Sequence, residues 1–232
     1  MKLTKISNRF DIFISEEKND RKNKPIYLNG NKVYYRFMGR FYIPDHVYKL
    51  SPPFVKELNN LREKYALTVI DKEFNDKVIV DALDNLKHKY KGHIKLLDFG
   101  CGYGYAGGLI KSVFPDSALF GIDIRKPLER KLLQCYSDFT IKSIDARLPY
   151  AVNFFDIIVS FFVFHFYISD FQIKELSRVI KPNGTLFVNL INSADFEVLN
   201  RLNEAGFTIS EQTEIVTKNN SGRGYFYCLT NT

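Results

Sequence analysis

Cysteine is scarce: the 232-residue chain holds three, Cys101, Cys135 and Cys228, and no Cys-x-x-Cys pair. The four histidines do not combine with them at ligand-like spacing, which excludes a structural zinc site, and three scattered thiols exclude a disulfide framework. Long apolar runs are also missing. The longest, Ile157–Ile168, is interrupted by Ser160 and His165 and is too short for a bilayer. The opening residues, Met1-Lys2-Leu3-Thr4-Lys5, contain no apolar signal core, so the expectation is a cytoplasmic protein without a membrane span. No internal repeat or low-complexity segment is found.

What is present is an ordinary globular balance, 45% hydrophobic and 25% charged, with a basic excess of +7 that is unevenly placed. Residues 1–93 hold 19 Lys+Arg against 12 Asp+Glu, whereas residues 94–232 hold 14 of each. All the excess charge therefore lies in the first part, which separates a basic N-terminal region (1–92) from a neutral one (93–232). In the first, Arg9–Ile14 reads as a strand. Ile26–Leu28 and Val33–Phe37, joined around Asn29-Gly30, read as a hairpin, because Asn-Gly accepts the positive φ of a tight turn. Gly39–Ile43 can add a strand. Pro52-Pro53 opens a helix to about Tyr65, and Phe74, Val78, Ala82, Leu86 and Tyr90 form one apolar stripe on a helix over 72–91.

From His93 onward the pattern alternates strand and helix. Strands are expected over Ile94–Phe99, Ala118–Ile122, Phe139–Ile144, Phe155–Ser160 and Thr185–Ile191. Helices are expected over Gly104–Val113, Pro127–Cys135, Phe171–Val179 and Asp195–Ala205. Phe207–Ile215 and Gly224–Leu229 have no helix between them and pair antiparallel. The fold class is α/β: a doubly wound, mostly parallel seven-stranded sheet ending in an antiparallel hairpin, preceded by a β-hairpin and helical extension.

The segment richest in chemistry is Leu96-Leu97-Asp98-Phe99-Gly100-Cys101-Gly102-Tyr103-Gly104, an apolar strand running into glycines that let the backbone approach a ligand at a helix N-terminus. Gly102-x-Gly104-x-x-Gly107 alone also satisfies the dinucleotide fingerprint. Asp98 separates the two readings. A pyrophosphate gains nothing from a fixed anion at the strand tip, whereas a ligand with a cationic amino-acid end does. A second carboxylate, Asp123, ends the next strand in Phe120-Gly121-Ile122-Asp123-Ile124, where it can accept both ribose hydroxyls.

These residues resemble the class I S-adenosylmethionine-dependent methyltransferases, over roughly residues 93–232, and most closely the branch that includes ubiquinone-biosynthesis-type and other small-molecule enzymes. The resemblance implies S-adenosylmethionine as cofactor, with Gly100, Cys101, Gly102 and Gly104 passing under its methionine end, Asp98 helping to orient the ammonium or the water around it, and Asp123-Ile124 at the ribose. Asp145-Ala146 then matches the adenine-binding pair, Asp145 taking the exocyclic amine and the Ala146 amide a ring nitrogen; Ser160 closes the fourth strand beside the cofactor. His165, at the end of Ser160-Phe161-Phe162-Val163-Phe164-His165, stands where that branch often carries a histidine and is the candidate general base, its ordinary pKa being about 6.5. Glu175–Gly184 resembles the family's passage from helix to fifth strand, in which Arg178, Pro182 and Gly184 are scaffold residues.

Departures narrow the reaction. No Asn/Asp-Pro-Pro-Tyr/Phe follows the fourth strand, which removes the usual signature for methylating planar amino groups of adenine or glutamine. No cysteine stands where a pyrimidine-C5 nucleophile belongs, and Cys135 and Cys228 read as core residues. In this family N-terminal elements usually cap the cofactor and choose the acceptor. Here residues 1–43 carry 10 Lys+Arg against 4 Asp+Glu, with Lys32, Arg36 and Arg40 interleaved among Tyr34, Tyr35, Phe37, Phe41 and Tyr42. That pattern suits an anionic small acceptor, or a single-stranded RNA platform of cations and stacking rings, or a solvated hairpin whose rings pack inward. The leading expectation is methylation of an O, N or C nucleophile on a small apolar or aromatic metabolite. RNA methylation, a non-catalytic partner subunit and a nicotinamide-dependent oxidoreductase are the alternatives.

Overall fold

In the computed structural model, residues 2–16, 26–37, 41–44, 52–65, 72–102, 104–124, 134–143, 146–164, 166–191, 195–215 and 224–232 are described. The chain forms two compact units: residues 1–68 with 165–167 and 192–196, and residues 69–164, 168–191 and 197–232.

The first unit is a five-stranded antiparallel sheet, one strand more than the four expected: Leu3–Ser7 is the addition. Its strands are β1 (Leu3–Ser7), β2 (Ile12–Ser15), β3 (Ile26–Asn29), β4 (Lys32–Phe37) and β5 (Phe41–Pro44), in the order β1-β2-β5-β4-β3. The expected strand Arg9–Ile14 starts only at Ile12, because Asp11 takes a φ of 52° in the turn from β1. Helix α1 (Pro52–Tyr65) lays Phe54, Leu58 and Leu61 against Ile12, Ile14, Phe41 and Ile43, which share one face of the sheet by the period of two. Phe13, Tyr34, Tyr27 and Tyr42 pack together on the other face, with Phe13 and Tyr34 edge to face at 4.9 Å.

The second unit has three layers. Its sheet comprises β6 (Lys95–Phe99), β7 (Ala118–Asp123), β8 (Asp138–Ile141), β9 (Phe155–Ser160), β10 (Ile180–Ile191), β11 (Phe207–Ile215) and β12 (Gly224–Asn231), ordered β11-β12-β10-β9-β6-β7-β8. Strands β6 to β10 are parallel, and β12 inserts antiparallel between β10 and β11, as the missing helix between the last two strands predicted. Helices α2 (Lys72–Lys87) and α3 (Tyr105–Val113) cover one face through Ile79, Leu83, Leu86, Ile110 and Val113. Helices α4 (Asp170–Val179) and α5 (Asp195–Glu204) cover the other through Ile173, Leu176, Val198 and Leu202. The apolar stripe read for residues 72–91 thus stops as a helix at Lys87, and Tyr90 instead donates its hydroxyl to Thr185 Oγ1 at 2.7 Å.

Two further boundaries differ from expectation. Strand β10 starts at Ile180, not Thr185: its register against β9 jumps from Ile180–Phe155 to Thr185–Ile157, so Lys181-Pro182-Asn183-Gly184 forms a bulge, with Asn183 at φ 62°. Strand β8 ends at Ile141. The helix expected over Pro127–Cys135 falls largely outside the described residues. The scaffold reading of Arg178 holds: it pairs with Glu175 at 2.6 Å and donates to the carbonyls of Leu148 and Tyr150, tying α4 to the segment entering β9. Asp156 is likewise structural, accepting from the Lys95 amide and from Lys181 Nζ. No helix among the described residues is long and apolar enough to cross a membrane.

Candidate active site at the carboxyl ends of the parallel strands

The chain reverses its winding between β6 and β9: β7 and β8 lie on one side of β6, β9 and β10 on the other. In open parallel sheets the crevice beyond the strand ends at this switch point is the natural ligand site. The two strands deliver Phe99-Gly100 and Ser160-Phe161 there, while β7 delivers Asp123 and exposed Ile124.

The glycine loop is held by its own backbone. The amides of Gly100 and Cys101 both donate to the Ile122 carbonyl, at 2.8 and 3.2 Å, and the Gly104 amide donates to Cys101 O at 2.8 Å. Gly100, Gly102 and Gly104 take φ values of 77°, 55° and 85°, in the left-handed region where a side chain is strained. Beyond conformation, the glycines differ in space. A Cβ at Gly100 would stand 2.3 Å from Val163 Cγ2 in the loop after β9, whereas a Cβ at Gly102 would meet nothing within 4 Å. Gly100 therefore permits close packing of two loops, and Gly102 leaves its space open. Its amide donates to Asp123 Oδ2 at 2.7 Å, bringing the second carboxylate up to the loop.

Asp98 is 1% exposed, and burial pushes its carboxyl up to about 7, although a hydrogen bond from the Tyr136 hydroxyl at 2.6 Å lowers it and the nearby Asp123 charge raises it. The Cys101 thiol, also buried, is pushed up by burial and then by Asp98 and Asp123, so it is inert as a nucleophile. Among the described residues no group of metal-ligating side chains assembles here or elsewhere.

The other residues expected in the site stand as follows. Ser160 is fully buried and donates its hydroxyl to Phe99 O at 2.8 Å, clamping the ends of β9 and β6 together. The Ala146 amide donates to Ser143 O at 3.1 Å, after β8. Asp145 and His165 lie outside the described residues. Sequence reasoning missed three members of this end of the sheet. Tyr136 is one. The others are Phe162, at φ 60°, and Asn189, fully buried on β10, whose Oδ1 accepts the Phe162 amide at 2.6 Å and so fixes the strained loop after β9. No local pattern marks any of them; each acquires its role from a partner distant in sequence.

Comparison with known proteins agrees with this geometry. Residues 97–188 match the family model described as a methyltransferase domain, which spans the glycine loop, Asp123 and the loop after β9. No curated protein matches. Among solved structures, 1,6-didemethyltoxoflavin-N1-methyltransferase from Burkholderia thailandensis, with bound 1,6-didemethyltoxoflavin and S-adenosylhomocysteine, is 13% identical. It superposes with a TM-score of 0.57 over 90% of this chain and 100% of that one. The N-methyltransferase NodS from Bradyrhizobium japonicum, 16% identical, gives 0.53 over 69% of this chain and 98% of its own. The [4+2]-cyclase SpnF, 20% identical, gives 0.51 over 66% and 81%. At these identities the likeness is one of fold, and a fold shared by methyltransferases and a cyclase leaves the acceptor to be argued from the site.

Proposed function

We propose that this chain, whose residues 97–188 match a methyltransferase domain, is a class I, S-adenosylmethionine-dependent methyltransferase, and that its acceptor is a small, largely apolar or aromatic metabolite methylated at oxygen, nitrogen or carbon. The residues present fit the cofactor. Open space over Gly102 adjoins a carboxylate, Asp123, suited to paired ribose hydroxyls, and a buried carboxylate, Asp98, suited to an ammonium. When bound, S-adenosylmethionine would supply an electrophilic methyl group on a sulfonium, for an electron pair of the acceptor, with the thioether S-adenosylhomocysteine as leaving group. The chain's share of that chemistry is alignment: the open backbone of the glycine loop and two carboxylates would hold one partner in place while the loop after β9, braced by Asn189, fixes the wall beside it. Asp145-Ala146 is assigned to the adenine, and His165 is assigned the proton of an acidic acceptor.

The observation that favours a small acceptor over RNA is the burial of the aromatic residues in the basic N-terminal sheet. Tyr34, Phe41 and Tyr42 are at most 5% exposed, so three rings that would have stacked bases are spent on the sheet's own packing. Lys5 and Lys32, moreover, both pair with Asp11, which halves their excess charge. The test is a transfer assay with S-adenosylmethionine labelled in its methyl group, offered in parallel a small-molecule extract and total RNA. Label is expected in the small-molecule fraction, with His165→Ala slowing incorporation by about 10²-fold. Label in RNA alone would reverse the acceptor assignment.

A further inference from the structure

We propose that Tyr136 is a positioning residue for the cofactor's amino-acid end, acting through Asp98: its phenol holds that buried carboxylate ready for an ammonium. The inference rests on the reading of Asp98 as the cofactor's ammonium partner.

Strand register creates the slot that the Tyr136 ring occupies. Asp98 on β6 stands directly opposite Gly121 on β7, so the neighbouring position that a side chain would fill is vacant. The Tyr136 ring fills it. A Cβ at Gly121 would stand 2.8 Å from Tyr136 Cδ1, and one at Gly107, in the first turn of α3, 2.7 Å from Cε2. Two glycines from different elements thus frame one ring, leaving its hydroxyl a single direction, toward Asp98 Oδ2 at 2.6 Å. If Tyr136 served packing alone, phenylalanine would fill the slot without burying a hydroxyl.

The electrostatics agree. Among the described residues, the titratable groups that act on Asp98 and its phenol are Asp123 from β7 and Cys101 and Cys135 from the flanking loops, and no lysine or arginine is among them. Burial, and then the Asp98 charge, push the phenol well above its ordinary range, so it remains a donor at every physiological pH. Among the described residues the Asp98 charge rests on the Tyr136 hydrogen bond with no cation beside it, so its ionised form is available to an incoming ammonium. Without the phenol the carboxyl would rise further and keep its proton to higher pH, weakening its attraction for the ligand there.

The experiment compares calorimetric affinities of wild type and Tyr136→Phe for two ligands. S-Adenosylhomocysteine has the amino-acid end; 5′-methylthioadenosine keeps the nucleoside and thioether and lacks it. Tyr136→Phe should weaken S-adenosylhomocysteine at least tenfold while changing 5′-methylthioadenosine less than twofold, and should displace the acid-side loss of S-adenosylhomocysteine affinity to higher pH. Equal weakening of both ligands, or unchanged affinity for S-adenosylhomocysteine, overturns the proposal. Gly121→Ala, which crowds the ring out of its slot, should give the same ligand-selective loss and serves if Tyr136→Phe does not fold. Failure of wild-type protein to bind either ligand would instead overturn the cofactor reading.

Discussion

Gly100→Ala is expected to abolish measurable binding of S-adenosylhomocysteine and to lower folding stability by about 3 kcal/mol, the combined scale of a left-handed non-glycine residue and an overpacked contact. Both penalties are local and geometric. The backbone at Gly100 holds φ 77°, and the new methyl group would stand 2.3 Å from Val163 Cγ2 and 3.0 Å from its Cγ1. Valine is branched at Cβ and cannot swing aside without changing rotamer against the backbone. The loop that carries it cannot retreat freely either, because Phe162, one residue earlier, is held at φ 60° by Asn189. Gly102→Ala is the internal control. It shares the positive φ but meets no protein atom within 4 Å, so it should lose only about 1 kcal/mol of stability. Chemical denaturation of both variants, followed by titration with S-adenosylhomocysteine, separates the two effects.

Asp98→Asn is expected to act in opposite directions on stability and on binding. Folding raises the Asp98 carboxyl from 3.8 to about 7, chiefly by burial. Between about pH 4 and pH 7 the folded chain therefore retains a proton that the unfolded chain has released, and stability falls as pH rises through that window. Above pH 7 the whole cost of the buried charge is present, and asparagine does not incur it while still accepting the Tyr136 hydroxyl. The variant should melt about 5 °C higher than wild type at pH 8 and at the same temperature near pH 4. Its affinity for S-adenosylhomocysteine should fall about 100-fold at pH 8, since the ammonium loses its buried counter-ion. A variant no more stable than wild type at pH 8 would mean that Asp98 bears no such cost. Stability given up at one carboxylate is what a binding site, rather than a structural feature, would be expected to show.

How far the sequence could be read depends on whether each role is local. The strand-and-glycine passage from Leu96 to Gly104 was legible because the apolar run, the positive φ values and the acidic strand tip all lie within ten residues. The antiparallel end of the sheet was legible from a missing helix between Phe207–Ile215 and Gly224–Leu229. Strand β1 was not, since Leu3–Ser7 is an edge strand with weak alternation, only Ser7 of it buried, its register set by pairing with β2. Nor was the burial of Tyr34, Phe41 and Tyr42 decidable, because interleaved cations and rings serve a stacking platform and a packed sheet equally well. Tyr136 was hidden for a different reason. Its importance lies in two glycines and one aspartate that stand 15 to 38 residues from it, and only the folded register of β6 against β7 brings them together.

The central claim is that this crevice binds S-adenosylmethionine and its product. It is tested most directly by calorimetric titration of the purified chain, freed of any co-purified ligand, with S-adenosylhomocysteine and in parallel with NADH. The account predicts micromolar binding of S-adenosylhomocysteine, one molecule per chain, and no heat of binding from NADH. Binding of NADH, or of neither ligand by protein shown to be folded, would contradict it.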